Sequence, residues 1–304
     1  MRGFPAPARW LLLLVLIALL GRYAWEHRED FPRLAQVSPV HVGVIWIGET
    51  LFILSNAIIL RLLLNACGTR LPLANAFALT AASGLVNYVA PLQAGLAVRA
   101  YYLRDVHAFP MVTFAALSAV AVLMNLVILG SAGLICLAVT GQQAPVSMLG
   151  VLALAALGGT LVLILARGKG EGEATTPLER VFFGFRGLRR APRSLWLIAM
   201  FLFFNSLILT SELWVAYRAL GHPVPFETVF LMNSMRVLTI LVTLTPGNLG
   251  VVEGVLAAAG TGVGEAFPVS FAAAGLLRLA NFAALLIWGG LSLFRWTLYR
   301  RRES

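Results

Sequence analysis

Long apolar blocks are the feature that most limits the folds open to this 304-residue chain. Most of the blocks could cross the roughly 30 Å of hydrocarbon in a bilayer as helices. Alternation of apolar and polar residues at period two, which is typical of a transmembrane β-barrel, is absent. The pattern therefore predicts an all-α polytopic membrane protein. The blocks nearly free of charge are 11–20, 42–64, 111–139, 151–166, 195–209, 229–244 and 271–293.

The composition leaves little material for a soluble domain. Apolar residues make up 60% of the chain and charged residues only 12%, whereas a soluble domain has about 25% charged residues. The longest polar stretch, 167–193, is too short to bury a core of its own. We therefore expect a single transmembrane domain over residues 1–304.

The basic residues indicate how the chain is oriented. The formal charge is +10, and the basic side chains cluster at the ends of apolar blocks, as the positive-inside rule predicts. The 167–193 loop and the C-terminal tail are rich in arginine and are predicted to be cytoplasmic. The 140–147 loop and the 246–268 stretch lack basic residues and are predicted to lie outside. This placement explains the charge without nucleic acid as a partner.

The first apolar block has two interpretations. Residues 2–21 have the basic start and short apolar core of a secretory signal peptide, but no small-residue cleavage site follows them. A retained first helix is the preferred interpretation. If the first helix is counted as a full span, both termini are predicted to be cytoplasmic.

Two segments of the chain share a faint pattern that predicts an internal repeat. We place repeat 1 at about 41–139 and repeat 2 at about 195–298, and chance similarity between apolar segments is the alternative. The first copy has Gly68, Pro72, Phe77, Pro91, Gly95 and Phe109-Pro110. The second copy has Gly221, Pro225, Phe230, Pro246, Gly250 and Phe267-Pro268, in the same order and with similar gaps.

The charges beside each repeat predict how its central part lies in the membrane. Basic residues flank both sides of 73–90, so a full crossing would leave one basic flank outside. A re-entrant hairpin that enters and leaves from the cytoplasm avoids this conflict. The second copy, 225–265, has poorly charged flanks and is predicted to enter from outside. The prediction is six full spans and two opposed hairpins, an inverted repeat typical of secondary transporters.

The predicted hairpin tips are rich in proline and glycine. Proline lacks an N–H donor and glycine permits positive φ, so both interrupt a helix. Interrupted backbone at membrane depth is tolerated only where protein or water covers it. The tips are therefore expected to line a polar cavity. Their residues are Pro91, Gly95, Pro246, Gly247, Asn248 and Gly250.

Ionisable residues within the apolar blocks mark the candidate site, because each is costly in lipid. Arg99 and Glu253 follow the two tips at corresponding places and carry opposite charges. We predict that Arg99, Arg236, Arg278 and Glu253 contact a charged headgroup, since guanidinium groups bind phosphate well, and a proton is the alternative ligand for Arg99 and Glu253. The alternative is structural ion pairing, either of Arg99 with Glu253 or of Arg236 and Arg278 with Glu212 or Glu253.

Other polar residues have simpler interpretations. Glu49 is expected in the outer third of a span, where water reaches it. The asparagines within the blocks are expected to hydrogen-bond between helices. The histidines and the isolated Cys67 and Cys136 have no metal-binding or redox spacing. No Ser–His–Asp set, P-loop or dinucleotide-binding glycine pattern is present, so the sequence predicts no catalytic residues, no metal and no cofactor.

The late motif Pro246-Gly247-x-x-Gly250-x-x-Glu253 carries a family resemblance. With the earlier Pro91, Gly95 and Arg99-Ala100, it resembles the transmembrane region of lysylphosphatidylglycerol synthases, the flippase part, and the stand-alone proteins that share this region. The resemblance covers roughly 10–298. One departure is Leu96, which stands where family members usually have an acid just after the glycine.

The resemblance implies a lipid-handling protein of the bacterial inner membrane. A flippase-like transporter of phospholipid or of polyprenyl or other lipid-linked headgroups is the leading hypothesis, with membrane lipids as its partners. Because the sequence ends at Ser304, we do not expect the soluble aminoacyltransferase domain or lysyltransferase activity. Two alternatives remain: a membrane-embedded enzyme acting on lipid-linked glycans or phosphates, and an accessory scaffold for a lipid-modifying enzyme.

Overall fold

The computed structural model describes residues 37–90, 94–165, 191–241 and 245–303. All regular secondary structure in these residues is helical, which confirms the all-α prediction. The helices are α1 (Pro39–Asn65), α2 (Leu73–Val89), α3 (Ala94–His107), α4 (Met111–Thr140), α5 (Val146–Leu165), α6 (Pro192–Ala219), α7 (Phe226–Ser234), α8 (Val237–Leu241), α9 (Val251–Gly262) and α10 (Phe267–Glu303), with a short 3₁₀ turn at Pro246–Asn248 before α9.

Five of the described helices are long and apolar enough to cross a membrane. They are α1, α4, α5, α6 and α10, each matching a predicted span. The predicted first span, 11–20, lies outside the described residues, as does most of the basic loop 167–193. The chain is therefore a multi-pass membrane protein, in agreement with the sequence.

The apolar block 229–244 is divided among several elements and does not form one continuous helix. It contributes to α7 and α8, and the backbone then turns sharply through the 3₁₀ segment before α9 begins. Gly247, Asn248 and Gly250 all have positive φ, at 57°, 54° and 78°. Glycine and asparagine tolerate this conformation better than other residues, which explains the break here.

The earlier break separates α2 from α3. Its proline, Pro91, lies outside the described residues. Gly95 begins the contact between the two helices: its N–H donates to Asn87 Oδ1 over 2.7 Å, and a Cβ at this position would overlap the Ser83 carbonyl oxygen. Glycine is thus required for the close approach of α3 to α2.

Two hydrophobic cores lie at opposite ends of the helix bundle. One combines the C-terminal half of α1 with the start of α4 and of α6, around Leu64, Phe114 and Ile198. The other combines the start of α1 with the end of α6 and the middle of α10, around Ile45 and Tyr217. On α1 and α6, buried polar residues lie between the two cores and alternate with Ile53 and Ile208, so the interior contains a partly polar layer between two apolar ones. The polar residues are Glu49, Ser55, Asn205, Ser206, Thr210 and Glu212.

Matched landmarks of the predicted repeat have the same local geometry. The turn after α1 contains Gly68, with φ 81°, and the turn after α6 contains Gly221, with φ 76°. In each turn the residue after the glycine donates its N–H to a carbonyl five residues earlier. Pro72 and Pro225 then precede the next helix with nearly identical dihedral angles. The duplication stays a prediction, and this shared turn supports it.

Candidate functional site

A polar cavity of about 390 Å³ opens between the two hydrophobic cores. Its walls come from α1, α2, α3, α6, α9 and α10, and from the residues between α7 and α9. Six ionisable residues that the sequence places in apolar surroundings all line it, namely Glu49, Arg99, Glu212, Arg236, Glu253 and Arg278. Segments far apart in the sequence therefore bring their charged side chains to one interior space.

Glu253 and Arg278 form a mostly buried ion pair at the second break. Arg278 Nε lies 2.5 Å from Glu253 Oε1, and its Nη2 lies 3.3 Å from Oε2. Glu253 Oε2 also accepts the N–H of Gly250 over 2.8 Å, which caps the first turn of α9. Arg278 Nη1 donates to the Gly247 carbonyl over 2.5 Å. One arginine of α10 thus holds both the carboxylate and the turn that precedes it.

Tyr88 connects the first break to this pair. Its ring lies 5.2 Å from the Arg278 guanidinium carbon, within the range of a cation–π contact. Its hydroxyl donates to Asn281 Oδ1 over 2.7 Å. The end of α2 therefore contacts α10 and the 3₁₀ turn, and the two interrupted segments meet at the cavity.

Arg99 takes part in a separate set of contacts. Its Nε donates to Ser83 Oγ over 2.6 Å, and Ser83 in turn donates to the Thr80 carbonyl over 2.9 Å. Arg99 forms no ion pair with Glu253 in the described part of the chain. The outer nitrogens of the Arg99 guanidinium are therefore not used by a carboxylate there.

Glu49 and Glu212 form a second acidic group, on α1 and α6. They are 2% and 3% exposed, and Glu49 Oε2 and both carboxylate oxygens of Glu212 have no hydrogen-bond partner among the described residues. This burial is contrary to the expectation that water reaches Glu49, whose position in the outer third of a span stays a prediction. The helix packing encloses it, and Gly48 provides the space for Glu212, because a Cβ there would overlap Glu212 Oε1.

Arg236 lies in the turn between α7 and α8 and completes the set. It interacts electrostatically with Glu49 and Glu212, although it forms no ion pair within 4 Å in the part of the chain that the structure describes. Nearby, Asn248 Nδ2 donates to the Thr239 carbonyl over 3.0 Å, which joins the 3₁₀ turn to the end of the Arg236 segment.

The structure places the predicted site residues as follows. Arg99, Arg236, Arg278 and Glu253 all face one cavity, together with Gly247 and Asn248 of the second tip. Tyr88 is a contact that the sequence interpretation missed, whereas Asn281 makes the hydrogen bond between helices that was expected of it. Tyr88 could have been found from its spacing, because it lies three residues before Pro91.

The asparagines have mixed roles. Asn233 joins α7 to α6 by donating to the Ser206 carbonyl and to Thr210 Oγ1, as expected for helix-to-helix hydrogen bonding. Asn87 and Asn281 also accept hydrogen bonds from neighbouring helices and line the cavity as well, whereas Asn56, which lines it too, donates to Phe52 of its own helix. Among the residues that the structure describes, no group of three His, Cys, Asp or Glu side chains is arranged to hold a metal.

Five helices that could cross a membrane and a cavity lined by charged side chains define a multi-pass integral membrane protein. The model of the lysylphosphatidylglycerol synthase transmembrane region matches residues 5–289, and the chain belongs to that family. This confirms the resemblance of the Pro/Gly motifs and assigns the protein a membrane lipid-related role. Neither a curated protein nor a solved structure matches the chain.

Proposed function

We propose that this protein is a flippase-like transporter that moves the phosphate-bearing headgroup of a lipid through the central cavity. The observation that carries this proposal is the presence of Arg99 and Arg236 in the cavity, without an ion pair in the described residues, beside the paired Arg278. Guanidinium groups are well suited to phosphate, and an unpaired one at membrane depth is costly without a ligand. The substrate is a phospholipid or a polyprenyl or other lipid-linked headgroup.

The size and position of the cavity support transport of a headgroup. A volume of about 390 Å³ lies within the range of small-molecule sites and suits a headgroup whose acyl chains stay in lipid. The cavity also lies where the two interrupted segments meet, as in transporters built from inverted repeats.

Contacts of the second interrupted segment support its assignment as a re-entrant hairpin. Near its start, Thr228 Oγ1 accepts a hydrogen bond from Gln142 in the loop between α4 and α5. Near its end, a Cβ on Gly262 would lie 3.2 Å from Pro145 in the same loop. The segment thus begins and ends beside one loop. With the positive-inside rule, we place that loop outside, both termini in the cytoplasm and the protein in the bacterial inner membrane.

The geometry favours transport over a membrane-embedded enzyme. The carboxylate of Glu253, which is the best candidate for acid–base chemistry, is held by both Arg278 and the Gly250 N–H. A substrate would have to displace Arg278 or the Gly250 N–H to reach either oxygen of this carboxylate. An accessory role beside a lipid-modifying enzyme has no contact in its favour in the described chain.

The proposal is tested by translocation of fluorescent phosphatidylglycerol in proteoliposomes, followed by quenching with dithionite. We expect Arg99→Gln and Arg236→Gln each to slow translocation about tenfold or more, the loss expected for one charge-assisted hydrogen bond. Arg104→Gln is the matched control, because Arg104 is exposed and pairs with Asp105 outside the cavity. Wild-type rates in both cavity variants would overturn the proposal.

A further inference from the structure

Glu49 and Glu212 are a buried carboxylate pair to which lipid binding gives no role. Their side chains lie on neighbouring spans, line the same cavity and interact electrostatically with each other. Both are more than nine-tenths buried, and three of their four oxygens have no hydrogen-bond partner among the described residues. Two ionised carboxylates in such surroundings repel each other and lose hydration, and a proton on one of them lowers both costs.

We propose that the Glu49–Glu212 pair binds one exchangeable proton, and that this proton is taken up together with an anionic phosphate headgroup. The inference rests on the proposed transport function and adds to it a source of energy, the proton gradient. The proton occupies a carboxylate oxygen of the pair, and no covalent bond to the lipid forms or breaks.

The charges around the pair explain why proton and phosphate would bind together. Among the described residues, three arginines and three glutamates line the cavity, so its formal charge is zero when all are ionised. One proton on the pair makes the cavity +1, and one phosphodiester restores neutrality. A net charge is costly in a low-dielectric interior, so the empty state and the state with both ligands bound are the favoured ones.

The groups that face the pair come from every element packed against it. Arg236 interacts electrostatically with both glutamates. Arg278 and Asn281, which belong to α10, interact with Glu49. Tyr88 of α2, Glu253 of α9 and Arg99 of α3 line the same space. Helix α4, which also packs on α6, carries only Cys136 as a titratable residue, and that residue lies near its end. Among the described residues, no cationic side chain forms an ion pair with Glu212.

The binding test measures proton uptake directly. Dihexanoyl-phosphatidylglycerol is titrated into protein held in amphipol, by calorimetry in buffers of different ionisation enthalpy. We expect about one proton to be taken up per lipid bound, and the affinity to fall up to about tenfold per pH unit as the pH rises. Dihexanoylglycerol, which lacks phosphate, should cause no uptake. Binding of the phosphatidylglycerol without proton uptake would overturn the inference.

Isosteric variants identify the proton site. Glutamine cannot exchange a proton, and it gives the cavity the charge of the protonated pair. Glu49→Gln and Glu212→Gln should therefore retain binding but lose proton uptake and pH dependence. The infrared carbonyl band of a protonated carboxyl should appear on lipid binding in the wild type and should not appear in either variant. Glu227→Gln, on an exposed residue outside the cavity, is the control and should behave as wild type. Proton uptake that persists in both cavity variants would contradict the assignment.

Transport under an imposed gradient separates this inference from the proposed function. Fluorescent phosphatidylglycerol should accumulate in one leaflet when a pH gradient is applied, and the glutamine variants should only equilibrate it. Equilibration that ignores the pH gradient, or responds to sodium instead, overturns the proton site and leaves the transporter intact. Proton-linked binding without any translocation overturns the transporter and leaves the proton site.

Discussion

At the scale of single residues, the cavity distinguishes structural charge pairs from charges without a dedicated partner. Arg278 contacts Glu253, the Gly247 carbonyl and the Tyr88 ring, so it organises the second break. Arg236 and the two carboxylates of α1 and α6 have no such partners among the described residues. Removing a charge should therefore affect stability in the first case and ligand or proton binding in the second.

The Arg278–Glu253 pair provides the first prediction. Arg278→Gln leaves Glu253 buried without its cation, which should destabilise the protein by about 3 kcal/mol. The double variant Arg278→Gln with Glu253→Gln removes both charges and should recover a large part of that loss. Thermal unfolding of all three proteins in one detergent measures this. A double variant less stable than Arg278→Gln alone would show that the two residues do not act as a pair.

Gly48 provides a second prediction, because it leaves the space that Glu212 occupies. In Gly48→Ala the new methyl group would lie 2.8 Å from Glu212 Cγ and would displace that side chain from its position near Glu49. We expect the proton uptake on lipid binding to fall, as measured by calorimetry. Gly43→Ala lies on the same helix with no atom within 4 Å of the added methyl group, and it should behave as wild type. Equal proton uptake in the two variants would contradict the geometry.

The ionisable residues were predictable from the sequence, but their partners were not. Their high cost in lipid identified Glu49, Arg99, Glu212, Arg236, Glu253 and Arg278, and all of them line the cavity. The partner of each depends on how the helices pack, which a single sequence does not encode locally. Arg99 and Glu253 occupy matching places in the repeat, yet Arg99 contacts Ser83 and Glu253 contacts Arg278.

At the scale of elements, the second break depends on backbone conformations that most side chains disfavour. Gly250 has φ 78° directly before α9, and the carboxylate of Glu253 turns back to cap its N–H. The Pro/Gly motif predicted this interruption from the sequence. Composition alone did not predict that 229–244 is divided, because its residues are as apolar as those of a full span.

Substitution of neighbouring glycines should separate this conformational requirement from helix propensity. Gly250→Ala forces an L-residue into the left-handed region and should cost about 1–2 kcal/mol. Gly254→Ala lies one turn into α9 with open space around it and should stabilise the helix by up to about 1 kcal/mol. Thermal unfolding compares the two directly. Stabilisation by both substitutions would mean that Gly250 does not require its positive φ.

At the scale of the whole molecule, two apolar cores support a polar layer between them. One core gathers the ends of the helices that the charge rule places at the cytoplasm, and the other gathers the opposite ends. Each interrupted segment packs within one core and reaches the cavity through its break. The five described spans were predictable because an apolar block of such length has few other solutions in water or lipid. Their mutual packing required the structure.

This arrangement makes a topological prediction that a conventional stack of crossing helices does not. Single cysteines are introduced into a variant in which serine replaces the native Cys67 and Cys136. Burial raises the pKa of the native Cys67 thiol. Arg70→Cys and Asp105→Cys, at the two ends of the α2–α3 segment, should both be protected from an impermeant maleimide in intact cells. His222→Cys and Ala266→Cys, beside the second segment, should both react, as should Gln142→Cys between α4 and α5.

The pairing of these positions tests the hairpins separately from the orientation. If all five sites show the reverse reactivity, the orientation is wrong and both hairpins stand. If Arg70 and Asp105 lie on opposite sides, the first segment crosses the membrane fully and α4 must run the other way. The loop at Gln142 would then lie in the cytoplasm and the basic loop after α5 would lie outside, which the positive-inside rule disfavours. Two re-entrant segments leave each pair on one side and keep every arginine-rich loop in the cytoplasm.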